Sequence, residues 1–254
     1  MSDWKDLFNI ITNNIIHKSP KVSWNCCVLL RKIMSNDYVR EKVQDLLFSE
    51  HTIKRLCLII CENSNFKTRI HAVQTLNKFR NYHDFGSSNL EVWNAFLYGF
   101  QNVTLTTDFT EVKYISTLEY QLVSLLVTLV QMVEENESFN EKFSTFLNDR
   151  SREIEACLLD YLRKQFKITA FSTVYDEQID PSQILDDKSF PTHTIKQLQI
   201  ASSKITKIID NSTEIQLPFS VYQTFTTIST SSVADLACSE ILKLSKPAFD
   251  QQQF

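Results

Sequence analysis

The side chains best suited to chemistry in this 254-residue chain are six cysteines, five histidines and a few pairs of acids. Cys57 and Cys61 stand four apart, a spacing that puts two side chains on one face of a helix, and His51 precedes them by one to two turns. That trio faintly resembles a metal site. It lacks the paired C-x-x-C knuckles that supply four ligands, and small buried cysteines are common in helical cores, so packing is the expected role and no metal is expected. His17, His51, His71, His83 and His193 are scattered, with no G-x-S-x-G elbow, H-E-x-x-H helix or catalytic-cysteine signature near them. Glu134 with Glu135, and Asp186 with Asp187, are sequence neighbours. Neighbours on a helix diverge by about 100°, which suits solvation better than shared acid-base work. No catalytic residue, enzymatic activity or cofactor is expected.

Composition narrows the classes further. Gly86 and Gly99 are the only glycines, whereas phosphate-cradling loops, tight hairpins and dinucleotide fingerprints need glycine where the backbone turns sharply. A hydrophobic content of 43% is enough to bury a substantial core. The start "MSDWKDLF" mixes acids with apolar residues rather than placing a basic region before an apolar run, so no secretory signal is read there and a cytoplasmic or nuclear location is expected. The most apolar run, Leu122 to Val133, is shorter than the ~20 residues that span a bilayer; it reads as a buried helix, and no membrane partner is expected. In such a compartment Cys26, Cys27, Cys57, Cys61, Cys157 and Cys238, all within apolar helical patterns, are expected to be free thiols.

The elements that must carry these residues announce themselves by repetition. On a helical wheel of "NFKTRIHAVQTLNKF", Phe66, Ile70, Ala72, Val73, Leu76 and Phe79 fall on one half, and Lys67, His71, Gln74, Thr75 and Lys78 on the other. Asn65 is placed to cap this helix. Arg69 is the exception, pointing into the apolar half. Shifting the sequence by 46 residues aligns Lys21, Lys67 and Lys113, and equally Leu30, Leu76 and Leu122. A period of ~40 to 47 residues with two or three helices each belongs to HEAT and armadillo solenoids, in which one helical pair hides its apolar face against the next. "WKDLFNIITNNII", "HTIKRLCLIICEN" and "LEVWNAFLYGF" read as the first helices of three pairs, and "DYVREKVQDLLF" as an added short helix. "SFNEKFSTFLNDR" and "SREIEACLLDYLRKQF" read as a fourth pair turning at "LNDRS".

"KVSWNCCVLLRKI", "CENSNFKTRIHAVQTL", "VWNAFLYGF" and "DFTEVKYISTLEYQL", in this order and spacing, resemble the carboxy-terminal HEAT/armadillo-like region of the HEAT repeat-containing protein 6 family, from about Lys21 to Leu162. The resemblance implies an all-α, right-handed α-solenoid used as a protein-binding scaffold without catalytic activity. It places Arg69 on the arginine that opens the second helix of a HEAT repeat, and Asn63 where that pattern prefers an aspartate. An inward arginine is then expected to bond to loop carbonyls or to a polar group near Asn63. Ser23 and Ile115 replace it in the flanking repeats, so a continuous ladder is not expected.

The domain reading is therefore HEAT-like repeats over 1–167 in about four hairpins, an acidic linker or crossing loop over 168–191, further helices over 192–246 and a frayed tail over 247–254. Ile195, Leu198, Ile205 and either Ile208 or Ile209 mark the first tail helix. Two more are expected to break near "TSS", where Ser231 or Ser232 caps the second. Ile70, Leu76 and Leu122 are expected at repeat interfaces. Residues 1 to 100 carry 13 basic and 9 acidic side chains against 13 and 21 in the remainder, an asymmetry that points to a charge-selective partner. The 46-residue register predicts a stacked polar face of Lys21, Asn25, Lys32, Lys67, His71, Gln74, Lys78, Lys113 and Thr117, fitted to a protein partner that presents acidic groups. The other reading is weak nucleic-acid binding, or a nuclear-transport-type adaptor, using the basic first half with Trp24, Tyr82, Trp93 and Tyr98. Without a pI near 9 or an RNA-reading motif this is the poorer fit.

Overall fold

A computed structural model describes residues 2–79, 84–104, 112–134, 137–174, 192–232 and 235–236. The fold is all-α, with ten α-helices and no strand among the described residues. They are α1 (Ser2–Asn14), α2 (Pro20–Met34), α3 (Asp37–Leu47), α4 (Glu50–Glu62), α5 (Phe66–Leu76), α6 (Asn89–Thr104), α7 (Val112–Glu134), α8 (Glu137–Val174), α9 (Thr192–Asn211) and α10 (Phe219–Thr230). The starts of α2, α5 and α7 are 46 residues apart, as the register requires.

Local chemistry sets several of these boundaries. Pro20 begins α2, where its missing N–H costs nothing. Asn36, Ser49 and Asn65 cap α3, α4 and α5 by accepting from the N–H groups of Val39, Thr52 and Thr68 at 3.1, 3.4 and 3.0 Å. Ser232 accepts from Asp235 N–H at 3.1 Å while Asp235 accepts back from Ser232 N–H at 3.3 Å. This reciprocal cap is the predicted start after the "TSS" break.

The chain divides into two compact units, Met1–Asp149 and Arg150–Phe254, and the division falls inside α8. In the first unit α2 packs on α5 and α5 on α7, giving one row of helices. In the other row α4 packs on α6, and Arg55 of α4 donates to Thr12 C=O of α1 at 2.7 Å. The rows meet where α1 packs on α2, α4 on α5 and α6 on α7, while α3 packs on α1 and α2. α5 is enclosed by α2, α4 and α7, and Leu76, Val73 and Ala72 are fully buried. Trp93 of α6 packs against Phe143 and Phe146 at ring separations of 4.8 and 5.3 Å. In the second unit α9 and α10 pack together, burying Leu198, Ala201 and Ile205 with Val221, Phe225 and Ile228.

Three expectations are corrected here. The turn at "LNDRS" does not form, because α8 runs through it. No glycine or proline interrupts Glu137–Val174, the low-propensity Asn148, Asp149 and Ser151 each cost only ~0.7 kcal/mol or less, and Arg150 pairs with Glu153 one turn on at 2.7 Å. The linker expected from residue 168 is likewise helical as far as Val174, and 175–191 lie outside the described residues. Thr75, assigned to the polar half of its helix, is 1% exposed. α2 covers that side, and the Thr75 hydroxyl donates to Cys27 C=O at 3.1 Å, so a polar residue is buried without an unmet bond.

α7 contains a stretch, Tyr114–Val133, that is by length and composition long and apolar enough to cross a membrane, longer than the run singled out from the sequence. Leu118, Leu122, Val123, Leu125 and Leu126 within it are buried, and α7 packs on α5 and α6.

Gly99 lies at a close approach of α6 to α4 and α7. A Cβ built there would sit 2.8 Å from Ile60 Cγ2 and 3.4 Å from Leu122 Cδ2. Alanine ordinarily favours a helix over glycine by ~0.5 to 1 kcal/mol. Ile60 is β-branched and fully buried, so it has no room to retreat. Gly99→Ala is expected to destabilise by about 1 to 3 kcal/mol through overpacking. Chemical denaturation checks this, and a variant more stable than wild type would show that α4 and α6 separate freely.

Candidate functional site

The candidate surface lies on the exposed side of α2 and α5. Burial of α5 on three sides leaves Lys67, His71, Gln74 and Lys78 as its stripe toward solvent: Lys67 and Lys78 are exposed, His71 and Gln74 half-buried. Their spacing of four, three and four residues keeps them on one face. On α2 the register equivalents Lys21, Asn25 and Lys32 are all exposed. On α7 Thr117 is half-buried, and the side chain of Lys113 lies outside the described residues.

Side chains from the two helices meet across this surface. Lys67 Nζ stands 4.1 Å from the centre of the Trp24 ring, a cation–π contact that holds the ammonium over α2. Arg31 Nη1 donates to Gln74 Oε1, and His71 Nδ1 lies 3.2 Å from the same oxygen. An amide oxygen only accepts, so neutral His71 carries its hydrogen on Nδ1. Farther along, Asn77 Nδ2 donates to Gln121 C=O at 3.1 Å, joining α5 to α7. Trp24, Arg31, Asn77 and Gln121 were absent from the predicted site. A signal for two of them was present: Arg31 and Asn77 are 46 residues apart and each bonds across to the next helix of its row.

Burial lowers the His71 pKa from its ordinary value, and the neighbouring Arg31 and then Lys67 act in the same direction, against the bond to Gln74. The unfolded chain therefore binds more protons than the folded one. Stability from this source is present above about pH 6.5 and is lost as pH falls toward the folded pKa. His71→Gln is expected to shrink the fall in melting temperature between about pH 7.5 and about pH 5.5. Equal falls in variant and wild type would remove the linkage.

Arg69 is 6% exposed, as expected of an inward arginine. Its partner differs from the expectation. Nη2 donates to Gly99 C=O in α6 at 3.2 Å and the guanidinium lies 5.4 Å from the Phe66 ring, while Asn63 Oδ1 accepts from Asn65 N–H at 2.9 Å within its own turn. The absent Cβ of Gly99 brings α6 close enough for this reach across helices. Ile70, Leu76 and Leu122 are 5%, 0% and 0% exposed.

A groove of about 540 Å³ runs between α4 and α6, lined by Lys54, Leu58, Cys61, Glu62, Glu91 and Tyr98 among others. Lys54 pairs with Glu50, and with Glu91 at 3.6 Å. Burial pushes the Cys57 and Cys61 thiols above the ordinary value, so neither is an activated nucleophile. His51 is exposed whereas Cys57 is buried, and the described residues contain no group of three or more His, Cys, Asp or Glu side chains suited to a metal. The five described cysteines are free, and burial holds Cys27 up at about 12 and Cys157 at about 11. Among the aromatics considered for nucleic-acid stacking, Trp93 is buried, Trp24 is engaged by Lys67, Tyr98 lines the groove, and Tyr82 lies outside the described residues.

No family model matches the chain, and no solved structure matches it. Among curated proteins the chain is similar to a putative uncharacterized protein of Dictyostelium discoideum, 28% identical over 134 residues, which cover 48% of this chain and 9% of that relative. The matched part therefore spans less than a tenth of the relative's length.

Proposed function

We propose that the chain is a right-handed α-solenoid of HEAT or armadillo type, akin to the HEAT repeat-containing protein 6 family, that acts in the cytoplasm or nucleus as a non-catalytic scaffold for an acidic protein partner. The observation that carries this reading is the stripe of Lys67, His71, Gln74 and Lys78, flanked by Lys21, Asn25 and Lys32, on neighbouring helices in the same register. Packed helices lie ~8 to 10 Å apart, so equivalent side chains form columns that an extended acidic segment can follow. Trp24 and Gln74 hold Lys67, His71 and Arg31 in place before binding, which lowers the entropic cost of ordering them.

The test is the double charge reversal Lys67→Glu with Lys78→Glu. Proteins captured by wild type and variant are compared at low and high salt, with melting curves for both. An intact fold with salt-sensitive partners lost supports the reading; retention of every partner at both salts refutes it. Single-stranded nucleic acid that displaces those partners at micromolar protein would replace it with the nucleic-acid reading.

A further inference from the structure

The 46-residue register also identifies a face of α2 whose counterpart in α5 is covered. On the wheel of α2, Val22, Leu29 and Ile33 fall within about 40° of one another. Trp24 and Arg31 fall about half a turn away, and both engage α5, through Lys67 and Gln74. The apolar trio thus faces away from α5. Its equivalents 46 residues on are Thr68, Thr75 and Phe79, which are 0%, 1% and 2% exposed, and Thr75 bonds to Cys27 C=O of the preceding row helix. Val22 and Leu29, by contrast, are 37% and 46% exposed, although α3 also packs on α2. In α5 Thr68 and Thr75 are covered; in α2 Val22 and Leu29 are open and Ile33 is half-buried.

Exposed apolar surface gathers at this end. Seven of the thirteen large apolar side chains left exposed among the described residues precede residue 39, among them Trp4, Leu7, Ile10 and Ile16. Around Val22 and Leu29 the chain carries charge of one sign: no aspartate or glutamate occurs from Leu7 to Asn36, whereas Lys18, Lys21 and Lys32 do, and Asp3, Asp6 and Asp37 lie outside that stretch. A second copy docked face to face would bring these cations together, which is unfavourable. A helix with apolar residues at i, i+3 or i+4, and i+7, flanked by acids, would cover Val22 and Leu29 as α2 covers Thr68 and Thr75, and would neutralise the lysines.

We infer that the α2 face of Val22, Leu29 and Ile33 is a docking site for an acidic amphipathic helix of a partner protein. This surface adjoins the candidate stripe and shares Lys21 and Lys32 with it, but its apolar trio lies outside that stripe, and it does not rest on the reading of Lys67 and Lys78.

The probe is a fluorescent helical peptide of about 20 residues, with leucines on one face and glutamates flanking them, alongside the same peptide with lysine for glutamate. Anisotropy titrations use the full chain, Leu29→Glu, Leu29→Ser and the Lys67→Glu, Lys78→Glu double variant, each checked for folding by circular dichroism. The expected result is binding of the glutamate peptide at least about tenfold tighter than the lysine peptide, a loss of about tenfold or more in either Leu29 variant, and retention in the double variant. Leu29→Ser keeps the test decisive should the glutamate variant unfold. The inference is overturned if the glutamate peptide does not bind, if both peptides bind alike, or if a folded Leu29 variant binds as wild type does. It is equally overturned if light scattering shows a wild-type dimer that Leu29→Ser converts to monomer, since a second copy would then be the occupant.

Discussion

Arg40→Met is expected to cost about 3 to 5 kcal/mol of folding stability, because it removes the cation that faces a buried carboxylate. Arg40 Nη2 lies 3.1 Å from Asp84 Oδ2, with side-chain exposures of only 15% and 7%. The guanidinium also sits 5.2 Å from the Phe48 ring; Phe48 meets Phe79 edge-on at 5.5 Å, and Phe79 stacks on Phe85 at 4.7 Å. One ion pair thus pins α3 over the aromatic cluster that precedes α6. Methionine preserves much of the stem volume, so the loss reports charge more than packing. Removing both charges in Arg40→Met with Asp84→Asn is expected to recover most of it, since a neutral amide is far cheaper to bury than a carboxylate that has lost its facing cation. Urea melts of the two variants decide the matter: a double variant as unstable as the single one would mean that volume, not charge, carries the effect.

The second large effect is expected from Leu76→Ala and Leu122→Ala, at about 2 to 5 kcal/mol each. Both leucines are fully buried and stand at equivalent register positions on α5 and α7, which pack on each other. Truncation leaves a cavity between two helices that cannot close without moving the rest of the row. Ile70→Ala belongs to the same class. Lys67→Ala is the control. Lys67 is exposed, and its contact with Trp24 is worth at most ~1 kcal/mol at such a site. Equal losses from lysine and leucine in denaturant melts would mean that the buried side of α5 has been misassigned.

The 46-residue spacing of α2, α5 and α7 and the helix starts were legible because they are local. Apolar spacing sets which side of a helix turns inward, and Asn65 and Pro20 mark where α5 and α2 begin. Arg69 was legible as an inward residue because its position on the wheel of α5 left no other choice. Its partner was not, because Gly99 lies 30 residues away on another helix and only packing brings its carbonyl within 3.2 Å. Thr75 was misread for a related reason. A wheel assumes one buried side, whereas α5 is covered on three.

The sequence by itself determined an all-helical chain: two glycines, period-3.6 apolar spacing and the 46-residue recurrence left little else. It also placed Lys67, His71, Gln74 and Lys78 on one stripe, because side chains three and four apart share a helix face whatever surrounds them. α8 continues through Asn148–Ser151 for a local reason that the turn reading overlooked, since a turn signal of weak propensity costs less than the helical bonds it would break, whereas the lateral contacts of the helices belong to the tertiary structure. It alone decided which flank of each helix is covered. Thr68 and Thr75 are buried and Val22 and Leu29 open at the same register positions, because burial depends on the neighbouring helix and not on the residue that occupies the position.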